Sequence, residues 1–270
     1  MEKVKKSCEK LRSVMTVSIC LVVVFGAVAC HRSPAPSPMA VDAGDTKAAN
    51  DRIAEAETLY QGREDLNKAR VAVAALRQAR TADYGNYEAA WKLARAAFYV
   101  AEHTDNDSER EDLYREGIEG GKAAVSLQPD KVEGHFWLGA NYGGSAAHST
   151  LASLSSFHDI QSEMEAALKI NAGYEGYSAY LGLGRLYLRA PRVLGGDSKK
   201  AIEYLEKGVK LSPTNTMMKA DLAEAYINNH REAEAKKQIE AVISTAPDPN
   251  HAPEHKDAVA KAQKLLQRIP

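Results

Sequence analysis

Pro213 and Pro247 lie 34 residues apart, and each closes a segment in which small and aliphatic residues return at every third or fourth position. Ala201, Leu205 and Val209 precede the first proline; Ala235, Ile239 and Val242 precede the second. That spacing marks one face of a helix. A period in the thirties built from helices describes a unit that cannot bury its apolar face alone and must stack on neighbouring copies. From about Asn50 the chain is rich in Ala, Leu, Glu, Lys and Arg, and nothing alternates like a strand for long. The body is therefore expected to be helical throughout.

The period and its residues resemble the tetratricopeptide repeat, a pair of antiparallel helices, and the resemblance covers nearly all of residues 50–249. The fifth unit is the most regular, with Leu222, Ala223 and Tyr226, then Ala235, Ile239, Val242 and Pro247. The fourth carries Tyr180, Leu183, Gly184 and Tyr187, then Ala201, Leu205, Gly208 and Pro213. The third has His135, Leu138, Gly139 and Tyr142, then Ile160, Met164 and Ala167, with Ala172 where proline is usual. The second has Trp91, Ala94, Arg95 and Phe98, then Gly117, Gly121, Ala124 and Pro129; the first is degenerate, with Tyr60, Ala69, Val73 and Leu76. The expected fold is all-α, a right-handed solenoid of about five helix-turn-helix repeats. Residues 250–270, with Ala258, Ala262, Leu265 and Leu266 on one side and charges on the other, are expected to cap it. Longer stretches around residues 103–111, 143–158 and 189–197 exceed the ideal period and belong in loops or extended helix ends.

The amino terminus is of another kind. Lys3, Lys5, Lys6, Lys10 and Arg12 precede an uncharged stretch over residues 14–29, the n-region and h-region of a bacterial secretory signal. Ala27-Val28-Ala29-Cys30 resembles a lipobox, which implies a signal peptide over residues 1–29 and lipidation of Cys30. Cys8 and Cys20 fall inside the segment to be removed, so the body after Cys30 holds no thiol for catalysis, disulfides or metal. His31 follows the lipidated position, where an aspartate is absent; this resembles the lipoproteins passed on to the outer membrane. Pro34, Pro36 and Pro38 among Ser and Ala make residues 30–49 read as a flexible tether. The expected location is the bacterial envelope, lipid-anchored, facing the periplasm.

A narrower resemblance runs over roughly residues 87–215. Trp137-Leu138-Gly139, Tyr142-Gly143, Met164, Ala167-Leu168, Ala190-Pro191, Gly195-Gly196-Asp197 and Lys200-Ala201 look like the T component associated with TRAP transporters. Members of that family are envelope lipoproteins thought to bind the periplasmic solute-binding component. The resemblance therefore implies a protein partner of that kind. An assembly factor for a pilus, secretion or outer-membrane complex is the first alternative, and an enzyme carried on the helical scaffold the second.

A solenoid of this type presents its first helices on the concave face. By position, Lys92, Tyr99, Phe136, Leu181, Arg185, Leu188, Arg189 and Glu224 are expected to form a partner-binding groove of mixed apolar and charged character. Lys92, Arg185 and Arg189 would meet an acidic side chain of the partner. Pro191, Gly195, Gly196 and Asp197 form either a structural turn, with Asp197 capping the next helix, or a docking loop. Enzymatic chemistry is not expected. Ser145 lacks the strand-turn-helix setting of a nucleophile, Gly182 and Gly184 lack the strand before a dinucleotide loop, and the histidines form no metal-binding pair. No cofactor is expected. With 35 Lys and Arg against 36 Asp and Glu, the net charge of −1 provides no basic field for nucleic acid.

Overall fold

A computed structural model describes residues 43–149 and 155–269. The expected leader, Cys30 and the first part of the expected tether lie outside the described residues. Eleven α-helices are found among those described: α1 (Ala43–Gln61), α2 (Leu66–Ala82), α3 (Tyr87–His103), α4 (Asp107–Leu127), α5 (Val132–His148), α6 (Phe157–Asn171), α7 (Tyr174–Arg189), α8 (Ser198–Leu211), α9 (Thr216–Ile227), α10 (Glu232–Ser244) and α11 (Ala252–Leu266). Short 3-10 turns occupy Arg192–Leu194 and Pro249–His251.

The helices form five pairs, each stacked on the next, and α11 packs on α9 and α10. First helices also touch the first helix of the following pair, α3 on α5, α5 on α7 and α7 on α9. This places the odd-numbered helices along one face. Several helix starts follow from side chains that satisfy otherwise unpaired backbone N–H groups. Asn86, Asn106 and Asn215 each accept a hydrogen bond from the backbone three residues on, at 2.9, 3.0 and 3.0 Å; Asp65 does the same two residues on.

The close packing expected of the small residues is seen between α7 and α8. A Cβ placed on Gly184 would fall 2.5 Å from the Leu205 side chain, so the glycine is what lets the fully buried Leu205 reach the groove between the two helices. Apolar side chains collect into three clusters along the array: one over α1 to α4, one over α3 to α7 that includes Ala94, Trp137, Met164 and Leu183, and one over α7 to α11 that includes Leu205, Met218, Ile239 and Leu265. Second helices are also tied across repeats at the surface, where Arg70 and Arg77 of α2 make two-pronged contacts with Glu109 and Glu116 of α4. Such exposed pairs contribute about 0–1 kcal/mol each, so the apolar clusters carry the fold.

Two local features depart from the expected pattern. Helix α1 begins at Ala43, inside the segment read as tether, because Ala49, Ile53 and Ala56 supply an apolar stripe that the first core cluster buries. The second lies at the start of α7. Glu175, Gly176 and Tyr177 take left-handed backbone angles, with φ of +48°, +60° and +66°, so the regular helix runs from about Ser178 onward. Glu175 and Tyr177 carry a Cβ and adopt this conformation at a cost of roughly 1–3 kcal/mol each.

Candidate functional site: the concave groove

The odd-numbered helices enclose a groove of about 850 Å³, bounded on one side by α11 and the turns before α9. Its wall is aromatic in the middle. Phe136 meets Trp137 edge-on at 4.9 Å and Tyr174 at 5.3 Å, while Phe98 lies 5.9 Å from Trp137. Trp137 Nε1 donates to the Tyr174 hydroxyl at 3.0 Å, which satisfies the polar edge of a ring only 8% exposed. Ala140, Gly143, Ala146, Leu181 and Leu186 continue the apolar lining on α5 and α7.

Beside this wall stands a group of charges. Asp221 of α9 has no exposure and sits between core residues of its own helix. Its Oδ2 accepts from Arg185 Nη2 at 2.7 Å and Nε at 3.1 Å; its Oδ1 accepts from Lys261 Nζ at 2.9 Å. Lys261 also contacts Glu224 at 2.5 Å. Burial alone would push the Asp221 carboxyl upward in pKa, but Arg185 and Lys261, with Arg189 farther off, outweigh it and hold the group well below the ordinary carboxylate range. Arg189 is half exposed, and its Nη2 stands 4.0 Å from Asp221 Oδ1. Three cations thus face two acids, and Arg189 is the one whose guanidinium is least engaged.

The structure sorts the residues read from sequence. Tyr99, Phe136, Leu181, Arg185, Arg189 and Pro191 line the groove. Lys92 does not serve as a groove cation: it is 9% exposed, and its ammonium is held by Glu57 at 2.9 Å and Glu88 at 2.7 Å. Glu57 also receives Arg95 Nη2 at 2.7 Å. Burial opposes ionisation of Glu57, yet Lys92 and Arg95 together lower its pKa below the usual value. Leu188 is partly buried against the carboxy-terminal core, and Glu224 is paired with Lys261. Arg185 is largely spent on Asp221 and so serves as a structural ion.

Pro191 to Asp197 forms a tight turn. Gly195 has φ of +103°, and a Cβ on Gly196 would overlap the Ala190 carbonyl oxygen, so neither position admits a side chain without rearrangement. Asp197 Oδ1 accepts from the backbone of Lys199 at 2.9 Å and Lys200 at 3.2 Å, the helix cap expected of it. Val193, in the middle of the turn, is 92% exposed.

Sequence reasoning missed the contribution of the last helix. Lys261, Glu254 and Asp257 of α11 line the groove, although a capping helix was expected to turn its polar face to solvent. It also missed Asp221. The signal was present, since an aspartate between Ala220 and Leu222 on a first helix is an acid at a core position and requires a partner. Among the described residues no group of three or more His, Cys, Asp or Glu is placed to hold a metal ion, and no helix is long and apolar enough to cross a membrane.

Paired helices with small residues at their crossings, stacked around a concave aromatic groove, define a tetratricopeptide-repeat scaffold suited to binding other proteins. A tetratricopeptide model matches residues 194–262. The chain belongs to the family described as Regulator of microtubule dynamics protein 1-3, whose model matches residues 52–188. Solved structures share the fold. The thermophilic tetratricopeptide protein TTC0263 of Thermus thermophilus is 20% identical, with 82% of this chain and 100% of that chain covered and a TM-score of 0.60. PilF of Pseudomonas aeruginosa is 16% identical, with coverage of 83% and 93% and a TM-score of 0.52. No curated protein matches the chain.

Proposed function

We propose that the chain is a non-enzymatic envelope scaffold, tethered by lipid at Cys30 to the outer membrane and holding a protein partner of the periplasm in its concave groove. The observation that carries this reading is the groove itself: an aromatic and aliphatic wall with Arg189 half exposed at its edge. Such a surface suits a segment that inserts apolar side chains and offers one acid. The transporter resemblance of residues 87–215 makes a TRAP-type solute-binding protein the leading partner. The family description speaks of microtubule dynamics for the proteins it covers. The secretory leader of this chain favours an envelope partner instead.

In-cell crosslinking of the tagged full-length protein, followed by mass spectrometry, tests the partner. A dominant solute-binding protein is expected; pilus or secretion subunits in its place would overturn that assignment. Cys30→Ser is expected to release the chain from membranes, and continued sedimentation with lipid would reject the anchor. Arg189→Ala tests the groove. Its distant contact with Asp221 contributes little to stability, so the fold should be unchanged. Loss of a charge-assisted contact to a partner should lower capture about tenfold or more. Capture equal to the wild type, with circular dichroism unchanged, would mean the partner binds elsewhere.

A further inference from the structure

The carboxy-terminal helix does two separable things. Ala258, Ala262 and Leu265 on one side of α11 are buried in the core cluster of the last repeats, as a capping helix requires. From its first two turns, however, two acids reach the other end of the array. Glu254 accepts from Arg63 Nη2 at 3.0 and 3.1 Å, across 191 residues, and Asp257 stands 3.1 Å from His103 Nε2, across 154. Arg63 belongs to the turn between α1 and α2, and His103 ends α3. The core cluster of the first two repeats and that of the last repeats share no buried residue. The Arg63–Glu254 and His103–Asp257 pairs are polar ties between α11 and the amino-terminal repeats, in contrast to the apolar anchorage of the same helix on α9 and α10.

We propose that α11 is a latch on the groove: the Arg63–Glu254 and His103–Asp257 pairs draw the last helix onto the first two repeats, and their release opens the groove to its occupant. A solenoid can open in this way without breaking a core, because small rotations at each repeat interface sum along the array. The groove-lining positions of Glu254 and Asp257 mean that separation of the pairs widens the groove at its own rim.

His103 makes the latch sensitive to protonation. Its Nδ1 lies 2.7 Å from the Tyr99 carbonyl oxygen and its Nε2 faces the Asp257 carboxylate, so the ring stands between two acceptors. Only the imidazolium donates to both. The groups around it are the Tyr99 ring stacked at 4.1 Å, Glu102 on its own helix and Asp257 on α11. Burial disfavours the charge, but Asp257, the Tyr99 carbonyl and Glu102 outweigh burial and raise the pKa above the usual imidazole value. A raised pKa means that this stabilisation of the closed form is complete at low pH and is lost as pH rises through the folded-state value.

The latch rests on the groove being the binding face, so its test has one arm that needs no partner. Hydrogen-exchange protection is measured on the full-length protein, corrected for intrinsic rates, for the wild type, Asp257→Asn and the double variant E254Q/D257N. In the double variant, protection should fall several-fold in residues 252–257 and 62–66 and stay unchanged in α9 and α10. In the wild type, protection of residues 252–257 should fall between pH 6 and pH 8, and Asp257→Asn should abolish that dependence. Equal protection in wild type and double variant would overturn the latch, as would a loss spread evenly through α9 and α10. In the crosslinking experiment the double variant should capture more partner than the wild type, and unchanged or reduced capture would overturn the gating role. Failure of the groove reading shows separately, as an Arg189→Ala variant that captures normally.

Discussion

Asp221→Asn is expected to destabilise the protein by about 3 kcal/mol or more, because it leaves Arg185 and Lys261 facing each other with no carboxylate between them. Removing one member of a buried ion pair strands the others in a poorly solvated place, at a typical cost of ~3–5 kcal/mol. The low end applies here, since the Arg185 side chain retains 28% exposure and Lys261 keeps its contact with Glu224. Urea unfolding of the wild type and variant at pH 7 measures the difference. The effect has a pH signature. Asp221 has a depressed pKa in the folded state, so its contribution is complete above the unfolded value, about 3.9, and is lost as pH falls through the folded one. The gap between wild type and variant should hold from pH 7 to about pH 4 and narrow below that. A gap that is absent at pH 7, or that widens in acid, would show that the carboxylate does not bind the three cations together.

Gly121→Val should cost about 2 kcal/mol or more and separate α4 from α5. The position lies in mid-helix, where replacing glycine ordinarily gains up to ~1 kcal/mol from the backbone. That gain is outweighed, because a Cβ on Gly121 would stand 2.8 Å from Leu138 Cα and 3.1 Å from its nitrogen. Backbone atoms of a packed helix cannot swing aside as a side-chain tip can, and overfilling such a contact costs ~1–3 kcal/mol or more. The contrast is Gly143→Ala, on the next helix, where nothing lies within 4 Å of the added carbon. That variant should unfold at or above the wild-type denaturant concentration, whereas Gly121→Val should unfold well below it. Equal behaviour of the two would reject the close crossing of α4 and α5.

The repeat architecture was legible in the sequence because each of its constraints falls on one residue type at one position. Gly184 must be small for Leu205 to pack, Tyr187 must fill the space beside it, and Pro213 must end the unit; a reader of single positions can find all three. What was not legible depends on residues distant in sequence. Lys92 looked like a free cation on a concave face, yet its partner Glu57 stands 35 positions earlier on a helix whose repeat pattern is degenerate. The acids of α11 looked like a solvated face because only closure of the array brings Arg63 and His103 to meet them. The left-handed run at Glu175 to Tyr177 had only Gly176 as a signal, and two residues with side chains adopt it against their own preference. The early start of α1 was hidden by composition, since the proline-rich stretch ends at Pro38 and the alanines that follow suit a tether as well as a helix.

The asparagines that begin α3, α4 and α9 have a consequence for chemical ageing. Asn86, Asn106 and Asn215 each offer a side-chain oxygen to the backbone three residues on. Hydrolysis of such an amide to aspartate keeps that oxygen and adds a negative charge at the positive end of the helix, where it is favourable. Direct hydrolysis at these three sites, as distinct from the succinimide route that yields isoaspartate and lengthens the backbone, would leave each helix start as well held as before, so the array would carry this change and keep its shape.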